Sequence, residues 1–128
     1  MKYGIVVSKW YQDLYTKPML QTALDEFQKH QIKDVSVLWV PGSYEIPYGA
    51  QKLCDQGYTK ILTLGVIIRG ETSHYDHICQ ACASGVMRVS LDNKTPIIFG
   101  VLTCENDQQV KERLKKVSSW VDNLIKIN

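Results

Sequence analysis

The chain reads as an α/β protein, a three-layer sandwich on a four-stranded parallel sheet, and three observations lead there. Apolar, β-branched runs alternate four times with stretches of helical periodicity. One of those runs, Ile61–Ile68 (ILTLGVII), meets no charge until Arg69, as expected of a strand buried on both faces. The 128 residues, 45% apolar and 22% charged, suffice for one core and leave no room for a second, so 1–128 is a single domain.

The elements follow in order. Tyr3–Ser8 is a short β-type run whose exit, Lys9-Trp10-Tyr11, is polar enough to be a loop. Thr16 and Pro18 mark a helix start, Leu20, Ala23, Leu24 and Phe27 form its buried face, and it ends near His30-Gln31. His30 is then a solvated residue of the last turn. Val35–Val40 is the second strand, closed by Pro41-Gly42. Ser43-Tyr44-Glu45 leads into a helix with Pro47 in its first turn, Ile46, Ala50 and Leu53 on its inner face and Gly57 at its end. The third strand turns through Arg69-Gly70 into a helix from His74 to about Ser90, with Ile78, Cys82, Gly85 and Val89 on one stripe. Asp92-Asn93-Lys94 is a turn, Pro96–Leu102 the fourth strand, with Phe99 assigned to core by its pattern. From Asp107 a last helix buries Val110, Leu114, Val117, Val121 and Leu124 and carries Arg113, Lys115 and Lys116 on what is ordinarily a solvated face. No repeat, low-complexity tract or linker interrupts the alternation. Right-handed crossovers put helices on both sheet faces, in a flavodoxin-like arrangement.

In such sheets ligands sit beyond the carboxyl ends of the strands. Three separate turns bring Trp10, Ser43-Tyr44-Glu45 and Gly70–His74 to that rim. Two readings stand for the last turn. Thr72 or Ser73 is an N-cap and His74 a first-turn surface residue, or the helix start is a phosphate seat with a proton carrier beside it. Glu45 likewise either charges a helix N-terminus or meets a polar ligand.

Composition excludes other classes. A net charge of +2, without a basic and aromatic ladder, argues against nucleic acid and for small metabolites. With no signal peptide and no apolar run of about 18 residues, a cytoplasmic protein that engages no membrane is expected. Cysteines 54, 79, 82 and 104 are expected as reduced thiols. His74, His77, Cys79 and Cys82 do not make a metal site. At about 100° per residue His74 and His77 stand about 60° apart on a helix, whereas Cys79 falls about 140° from His74.

Three blocks carry a resemblance. Pro41-Gly-Ser-Tyr-Glu-Ile-Pro47, Leu64-Gly-Val-Ile-Ile-Arg-Gly-Glu-Thr-Ser-His-Tyr-Asp76 and Thr95-Pro-Ile-Ile-Phe-Gly-Val-Leu-Thr103 closely resemble the lumazine synthase family, from about Tyr3 to Arg113. Its members are transferases that make 6,7-dimethyl-8-ribityllumazine in the penultimate step of riboflavin biosynthesis. They condense 5-amino-6-(D-ribitylamino)uracil with 3,4-dihydroxy-2-butanone 4-phosphate, releasing phosphate and water. The resemblance implies that Trp10 stacks on the pyrimidine and that Ser43, Tyr44 and Glu45 hold the ribityl chain and ring. Val66, Ile67 and Ile68 would bond the pyrimidine edge through their main chain. Glu71, Thr72 and Arg113 would receive the phosphate, and His74 would be the catalytic histidine. Phe99 would enter the site of a neighbouring subunit. No metal or organic cofactor is implied. The implied partners are the two substrates, other copies of the chain and, functionally, riboflavin synthase.

The chain departs from the family at its ends. After Arg113 the family has a Gly-bearing turn and a lysine, whereas here no glycine follows, so the last helix is expected to continue, and the lysine position falls at about Val121. Lys115, Lys116 and Lys126 are the available substitutes. Met1-Lys2 leaves little before the first strand, and both reduced ends favour a pentamer or decamer over a 60-subunit shell. The alternative is a catalytically weakened relative that binds a lumazine-like or flavin-like ligand or serves as an assembly subunit. The joint presence of Trp10, Glu45, Thr72, His74, Phe99 and Arg113 favours the enzyme. A phosphoacceptor receiver domain would need clustered acids after the first strand, where Ser8-Lys9-Trp10 stands.

Overall fold

The computed structural model describes residues 1–128. Its elements are β1 (Tyr3–Ser8), α1 (Lys17–Lys29), β2 (Val35–Val40), α2 (Ile46–Asp55), β3 (Lys60–Ile68), α3 (His74–Asn93), β4 (Ile97–Cys104), α4 (Asp107–Arg113) and α5 (Val117–Lys126). All four strands are parallel, in the order β2-β1-β3-β4. β1 and β3 are therefore internal, and their runs are buried almost throughout. Chain direction across the sheet reverses at the β1/β3 junction, which leaves a crevice at the carboxyl ends of those strands.

Alternation along the strands divides the core in two. Ile5, Val7, Leu62, Leu64 and Val66 face one side, against Met19 and Phe27 of α1 and Val117, Val121 and Leu124 of α5. Val6, Ile61, Ile67 and Val101 face the other, against Ile46, Ala50 and Leu53 of α2 and Cys82 and Val86 of α3. The three-layer sandwich expected from the alternation is thus present, in the flavodoxin-like order.

Two strand glycines permit close approach. A Cβ on Gly65 would stand 2.9 Å from Ser43 Oγ, so the bare strand lets the Ser43–Glu45 turn settle on the sheet. A Cβ on Gly100 would stand 2.3 Å from the Thr63 carbonyl oxygen and 2.9 Å from the Trp120 ring, which lies over β4 at that notch.

Several local expectations are corrected. α3 runs on to Asn93, and only Lys94 turns, with φ 52°. Asn93 stays helical because its side-chain amide donates to the Val89 carbonyl and to Gln51, tying α3 to α2. The last helix does not continue unbroken. A single 3₁₀ turn, Leu114–Lys116, separates α4 from α5 without a glycine, and it keeps Val110, Val117, Val121 and Leu124 all on the core side. His30 is exposed but not simply solvated, since Nε2 lies 2.9 Å from Asp122 Oδ1 on α5. Lys60, charged yet buried, opens β3 and donates to the Ile125 carbonyl at 2.8 Å. No helix is long and apolar enough to cross a membrane.

Candidate active site

The crevice holds a cleft of about 230 Å³ lined by the exit of β1 (Trp10, Tyr11), the turn after β2 (Gly42, Ser43, Tyr44), the end of β3 (Val66, Ile67, Ile68) and the start of α3 (His74, Ile78). Its lining is mostly apolar with few polar atoms, the usual make-up of a small-molecule site.

Local sequence explains each wall. After β1, Ser8 Oγ accepts from the Trp10 amide at 3.1 Å and the Ser8 carbonyl accepts from Thr16 Oγ1 at 2.7 Å, so the chain leaves the sheet abruptly. Tyr11 then adopts a left-handed conformation, φ 62°, and its carbonyl receives the amides of Tyr15 and Thr16. Trp10 is left 64% exposed with an indole face free for stacking, and its ring meets Tyr11 edge-on at 6.2 Å. After β2, the glycine of Pro41-Gly42 gives way to a 3₁₀ turn that buries Ser43 and leaves Tyr44 exposed. Ser43 Oγ is fully buried and has no hydrogen-bond partner. A hydroxyl buried in this way beside a cleft is costly unless a ligand meets it.

The third wall carries the polar chemistry. β3 ends at Ile68, and Arg69 through Ser73 lead exposed into α3, which His74 opens. Thr72 Oγ1, one residue before the N-cap position, accepts from the His74 amide at 3.2 Å, while Ser73 at the N-cap position makes no side-chain bond. His74 lines the cleft from this turn. The first turn of α3 is fastened to the rest of the rim by Arg69. Its Nε donates to Glu105 at 2.8 and 3.0 Å, its Nη2 donates to Asp76 at 3.1 Å, and its guanidinium lies 4.4 Å from the Tyr75 ring centre. Those two carboxylates, Glu105 before Asp76, hold the Arg69 pKa well above its already high ordinary value. Burial pushes the Cys82 thiol up to about 12 and raises those of Cys54, Cys79 and Cys104, so all four stay protonated.

Of the expected site residues, the cleft gathers Trp10, Ser43, Tyr44, Val66, Ile67, Ile68 and His74. Five others do not line it. Glu45 ends the same 3₁₀ turn as Ser43 and its side chain caps no amide. Glu71 is exposed on the loop before α3, beside Thr72. Phe99 is half-buried on the edge strand β4 and packs with the α2/α3 side of the core. Arg113 ends α4, half-buried, with Nη1 donating to the Gln109 carbonyl at 3.0 Å. Val121, where a lysine was sought, is wholly buried. Lys126 is no substitute, because the neighbouring Ile125 carbonyl is bound by Lys60 at the amino end of β3, about 20 Å along that strand from the cleft. Lys115 and Lys116 stand exposed in the 3₁₀ turn, after Leu114.

Reading the sequence missed Tyr11, Ile78 and the Arg69 clamp. Nothing in Trp10-Tyr11 signals a positive φ, and Ile78 fits a core stripe as well as a cleft wall. The clamp joins positions 69, 76 and 105, which no local pattern relates.

The chain is similar to known proteins. The family model described as 6,7-dimethyl-8-ribityllumazine synthase matches residues 1–127. The 6,7-dimethyl-8-ribityllumazine synthase of Thermococcus kodakarensis is 46% identical over 110 residues, covering 85% of this chain and 70% of that protein. That of Thermococcus gammatolerans is 44% identical over 110 residues, covering 85% and 71%.

Proposed function

The chain belongs to the 6,7-dimethyl-8-ribityllumazine synthase family, and from that premise we propose how its rim carries out the reaction. The protein is a transferase of riboflavin biosynthesis. It condenses 5-amino-6-(D-ribitylamino)uracil with 3,4-dihydroxy-2-butanone 4-phosphate to 6,7-dimethyl-8-ribityllumazine, phosphate and water, and nothing favours a merely binding or scaffolding relative.

One observation supports the residue assignment above all: in this family member, loops from β1, β2 and β3 place a free indole, an unpartnered buried hydroxyl and an imidazole around one cleft. The pyrimidine stacks on Trp10, with its edge against the main chain of Val66–Ile68. Ser43 Oγ, Tyr44 and Glu45 take the ribityl chain and ring. The butanone phosphate lies at the amino end of α3, where Glu71 and Thr72 offer an amide and a hydroxyl, and Arg113 supplies a forked cation. Because Arg113 is bonded to Gln109 and lies outside the cleft, its part requires the guanidinium to turn.

The pyrimidine's amine attacks the ketone and water leaves to give an imine. Phosphate is then eliminated, the enol tautomerises, and the ring closes with loss of a second water. Each step moves a proton. An imidazole can both accept and donate a proton, and His74 is the one at the cleft. Holding two substrates together lowers the entropic barrier further.

Phe99, which does not line its own cleft, serves a neighbour's, and the working unit is an oligomer, a pentamer or decamer before a shell. The four free thiols favour the cytoplasm. The product's consumer, riboflavin synthase, is the expected functional associate.

The decisive experiment mixes the purified protein with both substrates and follows the lumazine by its absorbance. Wild type should form product well above the uncatalysed background, and His74→Ala should lose about 10²- to 10⁴-fold, the usual worth of a positioned acid–base group. Full turnover by His74→Ala would remove His74 from the mechanism.

A further inference from the structure

We propose that Arg69 is a positioning residue for this reaction, holding the first turn of α3, and with it His74, against the cleft. The inference rests on the reading of His74 as the proton carrier. The Arg69 amide donates to the Cys104 carbonyl at 2.9 Å, which makes its backbone an extension of the β3–β4 ladder. From that fixed base its guanidinium reaches two other segments. Nε grips both oxygens of Glu105, which begins the connection from β4 to α4. The other nitrogens reach Asp76, and the plane lies against Tyr75, the two residues that follow His74 in the first turn of α3.

The loop between these anchors cannot hold itself. Gly70 through His74 are all exposed, and the single side-chain bond among them is that of Thr72 with the His74 amide. The position of His74 therefore depends on what fastens the two ends of the loop. Arg69 fastens both, the near end through its backbone and the far end through its side chain. Its donors are engaged by two carboxylates, so it is not a free cation waiting for phosphate. Exposed arginine–carboxylate pairs contribute little to global stability. The consequence of losing this one falls on geometry, where a misplacement of about 1 Å costs about 10²-fold in rate.

The test compares Arg69→Ala and Arg69→Lys with wild type in the intact assembly. Arg69→Ala should lower kcat about 10- to 100-fold, change KM for either substrate less than about threefold, and speed amide hydrogen exchange over residues 71–75 about tenfold with β3 unchanged. Arg69→Lys, which keeps the charge but cannot bridge Glu105 and Asp76 together, should recover only part of the rate. In a His74→Ala background Arg69→Ala should cost nothing more. A wild-type kcat, unchanged exchange in the loop, or an equal cost with and without His74 would each overturn the proposal. So would a raised KM for the butanone phosphate alone, the mark of a phosphate ligand. Full turnover by His74→Ala would instead sink the His74 reading, and the exchange data would still decide whether Arg69 holds the turn.

Discussion

At Gly100 a single hydrogen atom decides how the sheet and the last helix fit. An added Cβ meets the Thr63 carbonyl oxygen at 2.3 Å, a backbone atom of the neighbouring strand that cannot swing away, and the Trp120 ring at 2.9 Å. The adjacent ladder is already specialised, because Thr63 Oγ1 accepts from the Gly100 amide and donates to the Ile98 carbonyl. Gly100→Ala should therefore cost about 3 kcal/mol, the upper part of the range for overpacking, read as a lower urea midpoint at unchanged slope. A lone glycine within Ile-Ile-Phe-Gly-Val-Leu signals close approach in the sequence itself. What approaches is not legible there, since Trp120 stands a whole helix further on. The site divides in the same way. Trp10, Ser43 and His74 could be placed because each follows a recognisable strand end. Tyr11 could not, because a bulky residue at positive φ has no sequence mark.

Between elements, the contact of α1 with α5 carries its own charge device. Glu26, nearly buried on α1, and Asp122 on α5 converge on His30, whose Nε2 is 3.5 Å from the first and 2.9 Å from the second. Hydrogen bonding with Glu26, and next with His30, lowers the Asp122 pKa below the ordinary carboxylate value. The folded state thus favours the anion. Its contribution is present above the unfolded carboxyl pKa of about 3.9 and is lost as pH falls through the lower folded value. Asp122→Asn should accordingly lower Tm at pH 7, with the gap to wild type closing as both are acidified below about pH 3. A gap that is constant with pH would mean packing rather than charge. Helical periodicity revealed α1 and the final helical segment, yet the break at Leu114–Lys116 was hidden. A 3₁₀ turn needs neither glycine nor proline, and tightening the helix by one turn preserves the apolar stripe on which the sequence reading relied.

For the molecule as a whole, the fold was legible because alternating β and helical runs admit few topologies. Which chains it joins was not, since contacts between copies leave no period in a sequence. The surface nonetheless carries large apolar side chains in places that invite cover. Met87 and Leu91 project from the outer face of α3, 60% and 68% exposed, and Trp10 and Tyr44 edge the cleft. Light scattering at micromolar concentration should give at least a pentamer, and a monomer would refute the shared site. Substitutions Met87→Glu and Leu91→Glu together should weaken the assembly without unfolding the subunit, checked by sedimentation and circular dichroism.

The run from α4 through the 3₁₀ turn to α5 bears on tempo. Its inner residues Val110, Val117, Val121 and Leu124 are completely buried, so this stretch is a strut and not a flap. For Arg113 to meet a phosphate in the proposed role, the bond to Gln109 and the 3.8 Å pairing with Glu112 have to give way and one side chain has to rotate. Such rotations take picoseconds to nanoseconds, against microseconds or longer for a lid. Capture at this end should be as quick as diffusion delivers the substrate, and turnover should be set by the proton transfers and ring closure that follow.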